Sequence, residues 1–372
     1  MYGYGAAGNG TTDDYASIRN AINAAAGTGG TVFLPTGTYR ISQSLEMKSN
    51  VSIVGSGPGK TIIKPYHTGT HYPAFVCSST EPTFCKISRL GVNFSNCGTP
   101  STQSGDVAFS FVRSAAYGGA YELSDIQVTY ANTAYKDTNG GWLSTLKRVW
   151  AHGCVNGFYK TGGTTTVFEN CFAKGNQSSS VDGYGWYLDG TFNTVINGCA
   201  MDNYTANKPW YLLNNYGMVI NGFTAETNYT PGSVANESIF YMANNDGLVI
   251  NGFHPIWTKL NAVNSQGSYL MLISGGTTVA NGLVLGGDKP STYDDIVAGG
   301  NSGSTAVVLG LSGDAGTVLN GCQLTALKTS GYTGSRYTIS HTSNLGGTVV
   351  NACRITGTIA DSYSKVDQAK VF

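Results

Sequence analysis

The feature of this chain that most constrains its fold is a six-residue phrase that recurs through the second half. The phrase has Val at its second position, apolar residues at its third and sixth positions, and in most copies Asn-Gly between them. Its copies are Thr166–Cys171, Thr194–Cys199, Met218–Phe223, Leu248–Phe253, Thr278–Leu283, Thr317–Cys322 and Thr348–Cys353. They start 24 to 39 residues apart (218−194 and 317−278). A drifting period of this length, rich in β-branched residues and punctuated by turn residues, indicates a solenoid of stacked short strands.

A second phrase precedes the first at a fixed distance and combines aromatic or apolar residues with a central Tyr in most copies. Its copies are Phe158–Lys160, Trp186–Leu188, Trp210–Leu212, Phe240–Met242 and Leu270–Leu272. Each coil therefore contains at least two strands at constant separation, and the differences in coil length fall in the loops between coils. We predict an all-β fold, a right-handed single-stranded parallel β-helix with an N-terminal capping α-helix.

The predicted capping helix lies ahead of the first strand. Thr12 is a suitable N-cap, and Ile18, Ala21 and Ile22 repeat at helical spacing. Such a helix would cover the first coil, whose unpaired strand edges otherwise invite aggregation. The expected organisation is a cap segment over residues 1–30, a parallel β-helix over 31–360 and a C-terminal tail over 361–372.

Composition and charge argue against several classes of protein. The chain has 21 basic and 21 acidic residues and no basic run, so nucleic acid is not an expected partner. It has neither a signal-peptide pattern nor a long apolar run, so membrane insertion is not expected. Four of the eight cysteines end the six-residue phrase where other copies have Phe or Leu, which indicates buried thiols, although Cys77 and Cys85 could pair. Without a Cys-x-x-Cys pair, no metal or cofactor is expected.

Four segments near the N-terminus carry a family resemblance: Gly8–Asp14, Ala21–Ala25, Gly29–Tyr39 and Asn50–Gly57. Together they resemble the N-terminal region of the pectate-lyase-like superfamily, in particular the branch that contains bacteriophage tailspike depolymerases. The resemblance spans residues 3–65 and implies the β-helix, together with a bacterial capsule or O-antigen polysaccharide as substrate. It also implies a homotrimer on a virion tail or outside the cell. The same branch includes glycosidases, polysaccharide lyases and fructan-converting enzymes, so the reaction stays open.

The six-residue phrase also predicts which side chains face outward. Its Asn is expected to form the bend in the left-handed conformation and to stack on the Asn of neighbouring coils. Alternation beyond the bend turns the residue three places after the phrase outward, namely Lys174, Asp202 and Glu226 in successive copies. Adjacent carboxylates at Asp202 and Glu226 match the acid/base and nucleophile of a retaining glycosidase. The alternative is a solvated column of charges without a catalytic role.

The second phrase predicts an outward column of tyrosines. Tyr187, Tyr211 and Tyr241, with Tyr159 at the equivalent place, would offer sugars a stacking surface with hydroxyl groups, unless loops cover the rings. The remaining substrate-binding candidates are Lys174, His254 and Trp257. Loop carboxylates could instead supply a more widely spaced, inverting pair; these are Asp182, Asp189, Glu237, Asp294 and Asp295.

These candidates favour a glycoside hydrolase-type depolymerase of bacterial surface polysaccharide that acts with a pair of carboxylates. One alternative is a polysaccharide lyase, for which Lys174, His254 and Arg354 could act as base and charge neutraliser. The other is a receptor-binding fibre or adhesin that holds glycans without cleaving them.

Overall fold

The structure of the protein is a computed structural model. It describes residues 3–67, 69–78, 84–98, 104–112, 119–138, 140–175, 183–226, 228, 230, 237–256, 258, 260, 267–286, 305–313, 316–326, 334–341 and 347–361. The chain divides into two compact units, Met1–Asn176 and Gln177–Phe372. Each unit consists of parallel strands stacked coil on coil, and the predicted right-handed parallel β-helix is confirmed.

In the first unit, helix α1 (Tyr15–Ala26) follows the first strand. The strands are β1 (Asn9–Asp13), β2 (Thr31–Leu34), β3 (Gly37–Ile41), β4 (Leu45–Glu46), β5 (Ser52–Gly55), β6 (Thr61–Pro65), β7 (Phe75–Ser78), β8 (Cys85–Asn93), β9 (Val107–Val112), β10 (Tyr121–Thr129), β11 (Thr133–Thr138), β12 (Thr145–Cys154), β13 (Asn156–Thr161), β14 (Val167–Glu169) and β15 (Phe172–Gly175). Parallel ladders run β1–β3–β6–β8–β10–β12 and β7–β9–β11–β13, so each connection returns the chain one coil further along.

In the second unit, the strands that carry the two sequence phrases stack as parallel ladders. They are β16 (Trp186–Asp189), β17 (Val195–Asn197), β18 (Ala200–Asp202), β19 (Trp210–Leu213), β20 (Val219–Glu226), β21 (Glu237–Ile256), β22 (Ser268–Leu285), β23 (Thr305–Ser312), β24 (Gly316–Asn320), β25 (Gln323–Thr325), β26 (Ser335–His341), β27 (Thr348–Asn351), β28 (Arg354–Thr356) and β29 (Ile359–Asp361). The second phrase forms the ladder β16–β19–β21, and the six-residue phrase forms the ladder β17–β20–β21–β22–β24–β27. The predicted alignment of the fifth copy, Leu270–Leu272, is wrong by one residue, because Phe240 pairs with Met271 and Tyr241 with Leu272.

Helix α1 begins later than predicted, at Tyr15, with Asp14 as its N-cap. The prediction of Thr12 as N-cap is wrong because residues 9–13 are extended and pair with β3. The Asp14 carboxylate accepts hydrogen bonds from the backbone N–H groups of Ala7 and Gly8, at 2.6 and 3.0 Å. It therefore anchors the N-terminal segment while the helix buries Ile18, Ala21 and Ile22. The described residues include no helix long and apolar enough to span a membrane.

The predicted asparagine ladder is present in the second unit. Each amide Nδ2 of Asn221, Asn251, Asn281, Asn320 and Asn351 donates to the Oδ1 of the ladder Asn one coil earlier, at 2.7 to 2.9 Å. The prediction that these asparagines adopt the left-handed conformation is wrong. The following residue takes it: φ is 58° at Gly198 and 66° at Gly252, where a residue without Cβ turns at least cost, and 51° at Ala352 after Asn351. Each Asn stays in its strand and points its amide along the ladder.

We expect Asn251→Ala to lower the free energy of unfolding by about 1–3 kcal/mol, because it removes one ladder hydrogen bond and leaves neighbouring amides unsatisfied. Urea titration measures the change. Thr224→Ala, at an exposed strand position, is the control and should shift stability by less than about 0.5 kcal/mol. A loss at Asn251 no larger than that of the control would show that the ladder does not stabilise the solenoid.

The cysteines lie in the core as predicted. Cys171, Cys199, Cys322 and Cys353 are at most 2% exposed, and all eight cysteines of the chain are buried thiols outside any disulfide. Cys77 and Cys85 form no disulfide. The thiols therefore act as small apolar side chains that fill the space taken by Phe or Leu in other coils.

The core of the first unit also holds a buried ion pair. Lys160 Nζ lies 2.5 Å from Asp137 Oδ2, and both side chains are fully buried. Tyr121 donates its hydroxyl to the same carboxylate oxygen at 2.6 Å, and Tyr135 does so at 3.3 Å. Burial, followed by the negative charge of Asp137, holds the pKa of Tyr121 well above its usual range, so this phenol remains a donor.

Candidate functional site

The two predicted catalytic carboxylates are register neighbours in the second unit. Asp202 ends β18 and pairs with Glu226 at the end of β20. The residues before them, Met201 and Ala225, are fully buried, so alternation directs both carboxylates away from the core, where they are half-buried. Adjacent parallel strands are about 4.8 Å apart. At that spacing one carboxyl group can protonate a leaving group while the other attacks or stabilises the sugar cation.

The predicted tyrosine column is also present, with its rings stacked on one another. The ring centroids of Tyr187 and Tyr211 are 5.2 Å apart, those of Tyr211 and Tyr241 are 5.1 Å apart, and the planes are nearly parallel. Tyr184 packs edge-on against Tyr187 at 4.9 Å. Because the rings cover each other's faces, the column offers mainly ring edges and hydroxyl groups. The sequence predicted a flat surface on which sugar rings could stack. The column instead offers a surface suited to hydrogen bonding.

A lysine that was not predicted as a site residue lies over this column. Lys208 Nζ is 4.0 Å from the ring centroid of Tyr241 and 5.4 Å from that of Tyr211. Partial burial lowers the pKa of Lys208 and raises those of Tyr211 and Tyr241. The column thus combines a cation with phenol donors, a combination suited to sugar hydroxyl or carboxylate groups.

The other candidates of the second unit are distributed as follows. His254 is exposed in β21, where the preceding register pair joins Phe223 to Phe253. Glu237 is fully buried, which disfavours it as an inverting carboxylate. Asp189 accepts hydrogen bonds from Tyr187 and Asn214, at 3.4 and 3.1 Å. Trp257, Asp182, Asp294 and Asp295 lie outside the described residues.

Lys174 belongs to the first unit, where it joins an outward group of aromatic and basic side chains. It pairs in register with His152, and Trp150 pairs with Phe172 two residues earlier. Trp150 is 42% exposed, and its ring centroid lies 5.6 Å from that of His152 and 6.0 Å from that of Phe172. This group was not predicted from the sequence, although Val149 and Ala151 alternate with it as inward apolar residues and indicate its outward position.

The first unit also has an open cleft of about 820 Å³ that the sequence did not predict. Its cation is Arg40, whose guanidinium lies 3.7 Å from the ring centroid of Tyr66 and donates from Nη1 to the Thr11 carbonyl at 2.9 Å. Tyr72 donates its hydroxyl to the Ile41 carbonyl at 2.7 Å, and burial raises its pKa to about 12. The cleft is lined by Arg40, Ser42, Gln43, Ser44, Tyr66, His67, Gly69, Thr70 and Tyr72.

One wall of the cleft leads into a cluster of metal-ligand residue types. His67 Nε2 lies 2.7 Å from Asp106 Oδ1, and His71 Nδ1 lies 3.2 Å from the same oxygen. The Sγ of Cys97 completes the group: the donor atoms of Cys97, His67 and Asp106 all lie within 4.8 Å of one another. Burial and then the charge of Asp106 raise the pKa of Cys97 to about 12, so the thiol is not an activated nucleophile.

Among curated proteins, the chain is similar to enzymes of Azotobacter vinelandii. It is 52% identical over 69 residues to mannuronan C5-epimerase AlgE2, a match that covers 16% of this chain and 7% of the epimerase. It is 53% identical over 70 residues to alginate lyase 7, covering 16% of this chain and 8% of the lyase. The match therefore spans less than a tenth of these relatives' own length.

Solved structures share the fold over almost the whole chain. Bacteriophage phi29 gene product 12 has a TM-score of 0.58 at 15% identity, over 96% of this chain and 57% of that one. The Streptococcus pneumoniae adhesin PfbA has a TM-score of 0.55 at 12% identity, over 95% and 99%. The A-module of mannuronan C-5 epimerase AlgE4 from Azotobacter vinelandii has a TM-score of 0.50 at 16% identity, over 100% and 99%. At such identities the likeness concerns the fold alone.

The family comparison confirms the resemblance seen in the sequence. A model of the family described as "Rhamnogalacturonase A/epimerase, pectate lyase-like" matches residues 2–246, well over half of the chain. The chain belongs to the rhamnogalacturonase A/epimerase family of pectate lyase-like proteins.

Proposed function

We propose that the protein is a polysaccharide depolymerase that hydrolyses a glycosidic bond with Asp202 and Glu226. The observation that carries the proposal is the register pairing of these two half-buried, outward-facing carboxylates. In a retaining mechanism one carboxylate attacks the anomeric carbon while the other, as the acid, protonates the departing oxygen. The second then deprotonates the water that hydrolyses the glycosyl-enzyme ester.

The substrate class we propose is a bacterial surface polysaccharide, capsule or O-antigen. The tyrosine column supports it, because three hydroxyl groups spaced one coil apart would contact successive parts of an extended glycan. Lys208 adds a positive charge that would favour chains with acidic sugars. His254 pairs in register with Thr224, two residues before Glu226, and would extend the surface beside the carboxylates.

A second candidate reaction is elimination or epimerisation at an acidic sugar. Two observations favour it: the relatives named as mannuronan epimerases and an alginate lyase, and the register pair His152–Lys174 beside the exposed Trp150. In elimination His152 would remove the C5 proton, the electron pair would form the C4–C5 double bond, and the C4–O bond would break as the departing oxygen takes a proton from water. Lys174 would neutralise the sugar carboxylate. The alternative pair His254 and Arg354 fits less well, because β21 and β28 are three steps apart in the ladder β21–β22–β25–β28.

Product analysis distinguishes these reactions. We expect incubation with a panel of capsule, O-antigen and uronate polysaccharides to release new reducing ends without ultraviolet absorption from unsaturated uronates. Reducing ends with that absorption would establish elimination instead. Altered C5 configuration without cleavage, followed by NMR, would establish epimerisation. Binding without any product would identify a glycan-binding fibre or adhesin and would contradict an enzymatic role.

We also propose that the protein acts as a homotrimer on a virion tail or outside the cell. The support is the sequence resemblance to tailspike depolymerases and the similarity of fold to a phage gene product. The mass of the particle in solution, measured by light scattering, tests the assembly, and a monomeric mass would contradict it.

A further inference from the structure

We propose that His67, Cys97 and Asp106, with His71 as a fourth ligand, form a binding site for a zinc ion in the first unit. The cluster belongs to the first unit, whereas the proposed catalytic carboxylates belong to the second. The zinc proposal does not depend on the proposed hydrolysis. It contradicts the expectation from the sequence that no metal is bound.

The donor set itself points to zinc. Imidazole nitrogen, thiolate sulfur and carboxylate oxygen are the three ligand types that zinc takes in proteins, in four-coordinate tetrahedral sites. A cluster of two imidazoles, one thiol and one carboxyl group matches that number without any further residue. Calcium and magnesium prefer sites made wholly of oxygen ligands, which excludes them as the natural occupants of this cluster.

The distances are close to those that a metal requires. The three donor atoms of His67, Cys97 and Asp106 all lie within 4.8 Å of one another. Zinc–ligand bonds of about 2.0–2.3 Å place tetrahedral ligand atoms roughly 3.3–3.8 Å apart. The widest of the three separations must therefore close by at most roughly 1 Å, and the 2.7 Å between His67 and Asp106 must open by roughly half an ångström. Zinc binding would require side-chain rotations of that size.

Burial distinguishes this cluster from an ordinary group of surface residues. The side chain of Asp106 is only 2% exposed and that of His67 is 6% exposed, and Cys97 is equally buried. His71 is 30% exposed and would close the site toward the solvent. A buried carboxylate that already holds two imidazoles on one oxygen is preorganised for a cation, because the negative charge has been desolvated during folding.

The topology explains why no ligand motif is visible in the sequence. His67 and His71 lie in the connection between β6 and β7, and Cys97 and Asp106 lie in the connection between β8 and β9. Strands β6 and β8 pair, as do β7 and β9, so the two connections occupy the same corner of adjacent coils. The ligand spacing thus follows the coil period and not the short Cys-x-x-Cys spacing of small zinc domains. A bound ion would link the two connections to each other. It would also fix the position of His67, which lines the cleft.

The geometry favours a metal site over a Cys-His-Asp nucleophile. The Cys97 thiol donates to the Pro65 carbonyl at 3.3 Å, and Cys97 does not line the cleft. A nucleophile must reach its substrate, whereas a structural ligand has to be enclosed.

The test uses the full chain after removal of metal with a chelator, titrated with zinc chloride alone in a calorimeter. We expect saturable binding of one ion per chain and a thermal midpoint that rises with zinc concentration, as for any ligand specific to the folded state. Cobalt(II) as a spectroscopic probe should give tetrahedral d–d bands and a thiolate charge-transfer band. Absence of saturable zinc binding would overturn the proposal.

Variants identify the ligands. Cys97→Ser should abolish the cobalt charge-transfer band, and Asp106→Asn should weaken zinc binding by more than the roughly 10–100-fold lost with an outer-shell partner. His71→Gln, at the partly exposed position, tests the site even if a buried variant fails to fold, and it should weaken binding about 10-fold or more. Cys77→Ser and His152→Gln are matched controls in the same unit and should bind zinc as the parent does. Equal affinity in His71→Gln, Cys97→Ser and the controls would place any bound zinc elsewhere and contradict the site.

Discussion

Asp202→Asn and Glu226→Gln are each expected to lower turnover by at least about 10²–10⁴-fold, while folding and glycan binding stay intact. The amides keep the size and much of the hydrogen bonding of the carboxyl groups, but they can neither attack the anomeric carbon nor exchange a proton. Initial rates of reducing-end release measure turnover, and affinity for the uncleaved polysaccharide measures binding. Since both side chains are half-buried and lie outside the core, the thermal midpoint should change little.

Glu169→Gln is the matched control for this prediction. Glu169 is a surface carboxylate in the first unit, paired with Lys147 at 2.7 Å and about one-third exposed. Its amide variant should retain the parent rate. The nucleophile variant should also regain turnover when azide or formate is added, because a small anion can replace the missing carboxylate, whereas the parent rate should not rise. Full activity of either Asp202→Asn or Glu226→Gln would exclude the pair as the catalytic site.

The carboxylate pair was predictable from the sequence because the repeated phrase fixes which residues of successive coils lie side by side. The phrase that ends in Cys199 aligns with the phrase that ends in Phe223, and alternation then sets Asp202 beside Glu226 without knowledge of any loop. The tyrosine column and the asparagine ladder follow from the same alignment. What the alignment could not supply is ring orientation, so the stacking of the tyrosines on one another emerged only from the structure.

The cleft and the metal-ligand cluster were not predictable, because irregular connections supply most of their side chains. His67, Tyr72 and Cys97 lie between strands, where no period relates one coil to the next. The group around Trp150 was missed for a different reason. The bend in β12 is formed by Arg148, with φ of 51°, and not by the Asn-Gly pair of the later coils. The recurring phrase therefore did not identify this coil. The late start of the helix has a third cause: pairing with β3 outweighs the capping preference of Thr12.

Lys160 is a charged residue at a position where the repeat predicts a buried apolar side chain. It occupies the inward position that Leu188 and Leu212 take in later copies of the phrase, and alignment alone therefore placed a charge in the core. Such a residue requires a partner, since an unpaired buried charge costs several kcal/mol. The partner is Asp137, its register neighbour one coil earlier.

Lys160→Met should accordingly lower the free energy of unfolding by about 3–5 kcal/mol, because it leaves the Asp137 carboxylate desolvated without its cation. Urea titration at constant pH measures the loss. The matched control is Lys147→Met, which breaks the exposed pair with Glu169 and should cost less than about 1 kcal/mol. The contrast tests burial, since both pairs join a lysine to a carboxylate at hydrogen-bonding distance, and the first pair is fully buried while the second is more than one-third exposed.

The double variant Asp137→Leu/Lys160→Met distinguishes the electrostatic contribution of Lys160 to stability from its packing contribution. Removing both charges should recover most of the stability lost in Lys160→Met, because hydrophobic replacements of a whole buried pair are often neutral or stabilising. The recovery should be incomplete: Tyr121 and Tyr135 lose the carboxylate that accepts their hydroxyl groups, at about 1–3 kcal/mol for an unsatisfied buried donor. The two hydroxyl groups also hydrogen-bond each other, so Tyr121→Phe and Tyr135→Phe must be added together to regain part of that difference. If the double variant were no more stable than Lys160→Met, the cost would lie in packing around Lys160, and the ion pair would not be the element that holds this coil together.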